Sequence, residues 1–291
     1  MTGNLFALGS AIAWAVAVVL FKKSGDHFDA FGLNYFKSVL ALLLFAVTLP
    51  LAGIALFPQA PRAHLLLLLG SGFFGVAVAD TLFFRTLGLI GAARSAIVSC
   101  LYTPLVVAAS MLWLREMPTV KEMVGGLLVV SAVLLTQVRE ISHDLAPGVL
   151  RRGILLGALS MASTAGSVVA IKPILAEYPV LWSAGARLLG GVLGLTLLAP
   201  AFASGRSALG TFVPQRGWRV AIPAAVIGTY LTLMLWLAGF KYGATASAAV
   251  LNQTTTLFTV VLAAVFLRER FTPWHGLATA LAFVGAAIIV W

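Results

Sequence analysis

The sequence is poor in charge. Only 10% of its 291 residues are Asp, Glu, Lys or Arg, against roughly a quarter in soluble domains. Acidic residues are the scarcest, nine in all. Hydrophobic residues make up 61% of the chain. That is more apolar side chain than a water-soluble fold can hide, which excludes soluble enzymes and disordered chains. Cys100 is the single cysteine, so a disulfide framework and a cysteine-ligated cluster are excluded. The four histidines, His27, His64, His143 and His275, have no metal-ligand spacing, and no metal site or cofactor is expected. A phosphate-binding Gly-x-x-x-x-Gly-Lys-Ser/Thr sequence is absent, which argues against ATP hydrolysis by this chain. The apolar segments lack the alternation that a membrane barrel needs. What remains is an all-α integral membrane protein with little mass outside the bilayer.

A bilayer span takes about 20 apolar residues, and the punctuation divides the chain into ten. They are Asn4–Phe21, Phe31–Leu49, His64–Phe84, Ala92–Leu114, Val120–Thr136, Gly153–Ile171, Val180–Ala199, Trp218–Ala238, Ala244–Leu267 and Pro273–Trp291. Charged or Pro- and Gly-rich breaks separate them, among them Lys22-Lys23-Ser24-Gly25-Asp26 and the stretch from Arg139 to Arg152. Thr119 and Glu122 form a Thr-x-x-Glu capping box at the start of span five. Thr272-Pro273 opens span ten with a cap residue and a proline at the first helical position. Residues 1–5 carry no basic leader or cleavage site, so the first span is expected to be retained. The net charge of +10 is scattered over loops and helix ends. It orients a membrane protein rather than binding nucleic acid.

The two halves repeat. Gly3 to Ser10 aligns with Gly153 to Ser160 at an offset of 150, and at that offset Lys22 meets Lys172 and Lys37 meets Arg187. Gly91-Ala92-x-x-Ser95 aligns with Gly243-Ala244-x-x-Ser247, and Leu114-Arg115-Glu116-x-x-Thr119 with Leu267-Arg268-Glu269-x-x-Thr272. Residues 1–138 and 153–291 are the two repeats, and 139–152 connects them. Five spans per repeat is an odd number, so the second repeat must sit inverted in the membrane. Inverted repeats are the architecture of many secondary transporters, with the substrate site at the repeat interface.

These residues resemble the ten-helix EamA-type branch of the drug/metabolite transporter superfamily. The resemblance rests on Trp14 with the following Lys22, on Lys37 and Arg187 in the second helix of each repeat, on Pro104, and on the two Leu-x-Glu-x-x-Thr junctions. It covers essentially the whole chain. It implies a single-chain transporter of small metabolites, often an exporter of amino acids or related compounds. It also implies a central cavity lined by helices one to four and six to nine, with five and ten outside. The second repeat departs from the pattern: Thr164 stands opposite Trp14, and Thr256 or Leu257 opposite Pro104. The two cavity halves therefore differ in shape. The bias of basic loop residues places both termini outside, whereas the resemblance implies termini inside, and the orientation stays open.

The candidate site residues are the polar groups set inside apolar spans. Lys37 and Arg187 each lie about 6 or 7 residues into a span, roughly 9–10 Å of helix rise. Buried cations need a partner or a watery cavity. Each either snorkels to the interface or binds an anionic substrate group, where arginine can bind bidentately. Asp80 is the one acid placed well within a span. It falls at a depth similar to Lys37, so it either neutralises Lys37 or takes up a proton and couples transport to it. Its repeat mate is Thr232, which leaves Arg187 without a matching acid and makes it the better anion site. Asn252, Thr255, Thr256 and Thr259, spaced 0, 3, 4 and 7, would share one helical face lining the cavity. Trp14, Asn34, Tyr102 and Tyr230 complete the expected substrate wall, with Trp182, Ser183 and Trp236 nearby. Spans five and ten carry Gly125-Gly126, Gly276, Ala280 and Gly285, which suit packing or dimer contact, as does Gly190-x-x-x-Gly194. Glu116 and Glu269, beside Arg115, Arg268 and Arg270, read as local hairpin pairing.

The sequence thus predicts a multi-pass transporter, a monomer or weak homodimer, in a bacterial inner membrane. Its partners would be a small-molecule substrate and the lipid bilayer, with no nucleic acid. The alternative is a membrane-embedded enzyme acting on a lipid or lipid-linked metabolite. Catalytic residues for it are missing, since no paired carboxylates or histidine cluster occur inside the spans.

Overall fold

A computed structural model of the protein describes residues 1–24, 28, 30–56, 60–137, 146–201, 207–266 and 273–291. Among these residues the regular structure is helical. The helices are α1 (Thr2–Ser24), α2 (Ala30–Leu51), α3 (Arg62–Gly72), α4 (Ala79–Ser99), α5 (Tyr102–Trp113), α6 (Val120–Gln137) and α7 (Pro147–Glu177). The remainder are α8 (Val180–Leu198), α9 (Trp218–Ala225), α10 (Thr232–Tyr242), α11 (Thr245–Gln253), α12 (Thr255–Phe266) and α13 (Pro273–Val290). Among the described residues thirteen α-helices make ten spans, because the third, fourth, eighth and ninth spans are each interrupted and α4 is shared by the third and fourth.

The interruptions come in repeat-related pairs. Spans three and eight each contain a six-residue π-helical segment, Phe73–Val78 and Val226–Leu231. A π segment widens the helix and frees carbonyls. Ser163 Oγ donates to the Phe74 carbonyl at 2.8 Å and Thr232 Oγ1 to the Ile227 carbonyl at 2.8 Å, which satisfies them. Spans four and nine break at Cys100–Leu101 and at Thr254. Among the described residues, six spans are long and apolar enough to cross a bilayer by length and composition, the third and eighth among them, whereas the break in the fourth span leaves only the shorter apolar helix Tyr102–Trp113 there.

Several expected boundaries move. Helical backbone runs without a gap from Ala79 to Ser99, past the expected end of span three at Phe84. Thr86 and Val98 of this element both lie against Gly157 of α7. Span six is longer than Gly153–Ile171: α7 starts at Pro147, inside the expected connection, and runs 31 residues. Proline at the first helical position has its missing N–H where none is needed, and Ala146-Pro147 is the signal that marks this start. The second span ends in a Schellman motif. Gly53, at φ 69°, lets its N–H reach the Pro50 carbonyl and that of Ile54 the Leu49 carbonyl, both at 2.9 Å. The capping box at span five forms as read: Glu122 N–H donates to Thr119 Oγ1 at 3.2 Å and Thr119 N–H to Glu122 Oε2 at 2.7 Å. Span ten opens at Pro273, and its cap Thr272 lies outside the described residues.

The packing fixes the inverted topology. Asn4 Nδ2 donates to the Ile289 carbonyl at 3.3 Å, so both termini meet at one end, called here the terminal end. α1 packs on α10, α3 on α8, α4 on α7 and α6 on α13. Each of these pairs joins the first repeat to the second. Small residues allow the close approach. Gly72 of α3 abuts the Arg187 backbone and Gly190 of α8 abuts the Leu69 backbone, leaving no room for a Cβ at either. Gly125 of α6 faces Gly285 and Ile289 of α13, so these glycines pack within the chain. The largest apolar cluster among the described residues joins Phe45, Leu68, Ile171, Trp182, Leu237 and Leu251 from six spans at the centre.

Candidate functional site

The site is built around the two repeat-mate cations. Both are buried: Lys37 is 5% exposed and Arg187 2%. Neither snorkels to the interface; each is gripped by neighbouring helices. Lys37 Nζ lies 3.4 Å from Asp80 Oδ2 and 5.9 Å from the centre of the Trp14 ring. α1, α2 and α4 thus converge on one ammonium group. The Asp80 side chain keeps 35% of its surface accessible, although Ala79 and Thr81 on either side are buried. The carboxylate is therefore less enclosed than the ammonium group that it pairs with.

Among the described residues, no carboxylate forms an ion pair with Arg187. Its guanidinium donates to Ser71 Oγ, to Ser167 Oγ at 3.0 Å and to the Ser167 carbonyl at 3.3 Å. Its carbon sits 5.2 Å from the centre of the Trp236 ring, a cation–π arrangement. Gly75, in the first π segment, leaves the space that the guanidinium fills. The Nε–H of Arg187 has no partner. Ser71, Ser167 and Gly75 carried no sequence signal, because serine and glycine are common throughout these spans.

The remaining candidates divide. Asn34 is fully buried on α2, and neither atom of its amide has a hydrogen-bond partner. Among the described residues, the same holds for the hydroxyls of Ser38, Thr81, Ser183 and Thr229. Buried polar groups are normally paired, with ordered water among the partners. Tyr230 packs on Phe45 with ring centres 4.6 Å apart. Trp182 is tied by its indole N–H to the Leu56 carbonyl at 3.1 Å. The stripe on span nine needs correction. Its helix breaks at Thr254, so Asn252 does not share a regular helical face with Thr255, Thr256 and Thr259, which sit half-buried on α12. Asn252 Oδ1 accepts from Ser10 Oγ at 2.8 Å and its Nδ2 donates to the Ala248 carbonyl at 2.9 Å. That amide joins α1 to α11.

Glu116 also differs from the expected local pairing. Arg115 adopts φ 56°, a left-handed conformation at the α5–α6 hairpin, and is exposed. Glu116 instead accepts two bonds from Lys172 Nζ, at 2.6 and 2.9 Å, and is bound by Thr245 as well. Burial raises its carboxyl pKa, but hydrogen bonds from Lys172 and Thr245 outweigh that and hold it below the ordinary glutamate value. Glu269, Arg268 and Arg270 lie outside the described residues. Among the described residues no three His, Cys, Asp or Glu side chains gather as metal ligands.

The chain is similar to known proteins. The profile of the EamA-like transporter family matches residues 1–138 and 151–291. A protein of Bacillus subtilis (strain 168) named as the uncharacterized transporter YvbV is 29% identical over 144 residues. That alignment covers 47% of this chain, which spans about half of the relative, 45%. A crystal structure superposes on 98% of this chain and 95% of its own with a TM-score of 0.82 at 17% identity. At that identity the likeness is one of fold.

Proposed function

Because the chain belongs to the EamA-like transporter family, we propose that this multi-pass membrane transporter is a secondary transporter exporting a small carboxylate-bearing metabolite, an amino acid or related compound. The carrying observation is the burial of Lys37 and Arg187, repeat mates, among polar groups that lack partners. Two buried cations are costly in a bilayer, and an anionic substrate group repays that cost when it binds.

In this reading Arg187 takes the carboxylate. Ser71 and Ser167 fix its planar fork, and Trp236 covers one face. Trp14, Asn34, Tyr102 and Tyr230 shape the rest of the pocket, and Thr255, Thr256 and Thr259 line its wall on α12. The Lys37–Asp80 pair is the second pole, where Asp80 exchanges a proton during the cycle. The two five-helix repeats rock about this centre, as inverted-repeat transporters do. The setting is a bacterial inner membrane.

The test is flux in proteoliposomes holding the purified protein. A panel of radiolabelled amino acids and organic acids is offered, with and without a pH gradient, to wild type and to Arg187→Ala. The proposal expects at least one carboxylate to be carried by wild type and not by the variant. Equal flux of every carried carboxylate by both proteins removes Arg187 from the site. Carriage of uncharged or cationic solutes alone overturns the substrate class.

A further inference from the structure

At the terminal end, polar bonds between the repeats concentrate in one place. The α5–α6 hairpin and the start of α6 supply Glu116 and Glu122 from the first repeat. The second repeat supplies Lys172 near the end of α7, and Thr245 and Ser247 at the start of α11. Lys172 Nζ donates to both Glu116 oxygens and to Thr245 Oγ1, at 2.6 Å. Thr245 Oγ1 lies 2.6 Å from Glu116 Oε2, and its backbone N–H donates to the same oxygen at 3.3 Å. Ser247 donates to Glu122 Oε1 through its hydroxyl and, at 3.2 Å, through its backbone N–H. All of these bonds except that between Lys172 and Thr245 cross from one repeat to the other.

A cleft of about 490 Å³ opens directly onto them and is lined by Glu116, Glu122, Lys172 and Ser247. Water therefore has access to the cluster. Ion pairs reached by water form and break readily, whereas the apolar contacts around the central cluster do not depend on a single charge. The opposite end is closed differently. There Phe36 packs on Phe212 and Trp218, with ring centres 5.6 and 5.5 Å apart, and Phe28 stacks on Phe36. By sequence, the repeat mates of Lys172 and Glu116 are Lys22 and Glu269, whose side chains lie outside those described. The same pair of residue types is thus encoded once for each end.

We propose that Glu116, Lys172 and Thr245 form a latch that holds the terminal end closed and must break for that end to open. The inference rests on the transport reading above, since a latch needs two states to separate. Glu122 and Ser247 seat the start of α11 against α6 beside it. Breaking the latch lets the α5–α6 hairpin part from α7 and α11 and gives the terminal side a path inward.

The test reads distance rather than flux. Spin labels are placed at Met117→Cys and Glu177→Cys, one in each repeat, in a Cys100→Ala background, and dipolar EPR is recorded on the full chain in nanodiscs. Lys172→Met and Thr245→Val are each expected to add a longer-distance population, shifting the closed-to-open ratio by about tenfold, the effect of one charge-assisted hydrogen bond. Lys172→Arg, which keeps the charge and the donors, is expected to retain the short distance. Distributions unchanged by Lys172→Met and Thr245→Val overturn the latch. So does an opening by Lys172→Arg as large as that by Lys172→Met. If Lys172→Met does not yield folded protein, Thr245→Val decides. A shifted distance in a protein that carries no solute leaves the latch standing and overturns the transport reading. Unshifted distances in a protein that carries solute overturn the latch alone.

Discussion

Gln253 Nε2 donates to the Ser99 carbonyl at 2.9 Å. These are the last residues of α11 and α4, each directly before the break in its span. A helix that stops inside a membrane leaves orphan carbonyls, which must be satisfied by neighbours. Here one broken helix satisfies the other. The two breaks therefore meet across the repeat interface, and Thr103, just past the first break, donates to the Ala249 carbonyl of α11 at 3.4 Å.

Arg187 is held by serines from two other helices. Arg187→Ala should leave Ser71 and Ser167 facing an empty site, lowering stability by about 1–3 kcal/mol and carboxylate flux by tenfold or more. Arg187→Lys should restore some stability and little flux, because a point charge cannot reproduce the fork. Melting in detergent and flux in proteoliposomes separate the two effects. Full flux in Arg187→Lys would show that charge alone suffices.

Lys37 and Asp80 are a pair in which the cation is buried and the carboxylate is half-buried. Asp80→Asn should leave Lys37 as a buried cation without a counter-charge and lower the melting point. Adding Lys37→Met to Asp80→Asn should recover much of the loss, since breaking one partner of a buried pair is worse than replacing both. A double variant less stable than either single one contradicts this. In flux assays Asp80→Asn should also remove any dependence on an imposed pH gradient; a preserved dependence rules Asp80 out as the proton site.

The α6–α13 pair closes on Gly125 and Gly285. A Cβ on Gly285 would lie 2.8 Å from the Gly125 carbonyl oxygen, which is backbone and cannot swing aside. Gly285→Val should therefore pry the pair apart at a cost of about 1–3 kcal/mol. Because these helices lie away from Lys37 and Arg187, transport by the surviving folded protein should be unchanged. A melting point equal to wild type would mean the helices separate without penalty.

Glu116 has a depressed pKa in the folded protein, set by Lys172 and Thr245 against the opposing effect of burial. Its contribution is present in full above the ordinary glutamate range of about 4.3. It is lost as pH falls through the lower folded value. The melting gap between wild type and Glu116→Gln should be constant near neutrality and close in acid. A gap that widens on acidification reverses the sign and contradicts the assignment.

The sequence alone determined the architecture. Span length follows from hydropathy, because a bilayer requires every backbone group to be paired within the helix. An odd number of spans per repeat forces inversion, and Lys37, Asp80 and Arg187 stand out because charge in an apolar segment is rare. The capping box at Thr119 was equally legible, since both of its partners are local. Tertiary structure decided the rest. Serine and glycine have no distinctive pattern, so Ser71, Ser167 and Gly75 become visible as the seat of Arg187 only when α3, α7 and α8 meet. The π segments and the break at Thr254 depend on which neighbour satisfies the freed carbonyls. Glu116 looked like a partner for the adjacent Arg115, yet a left-handed turn at Arg115 directs the carboxylate to Lys172, 56 positions along the chain. Hydropathy and periodicity are local quantities and fix where helices run. Which side chains face each other is a property of helices far apart in sequence, and packing alone selects it.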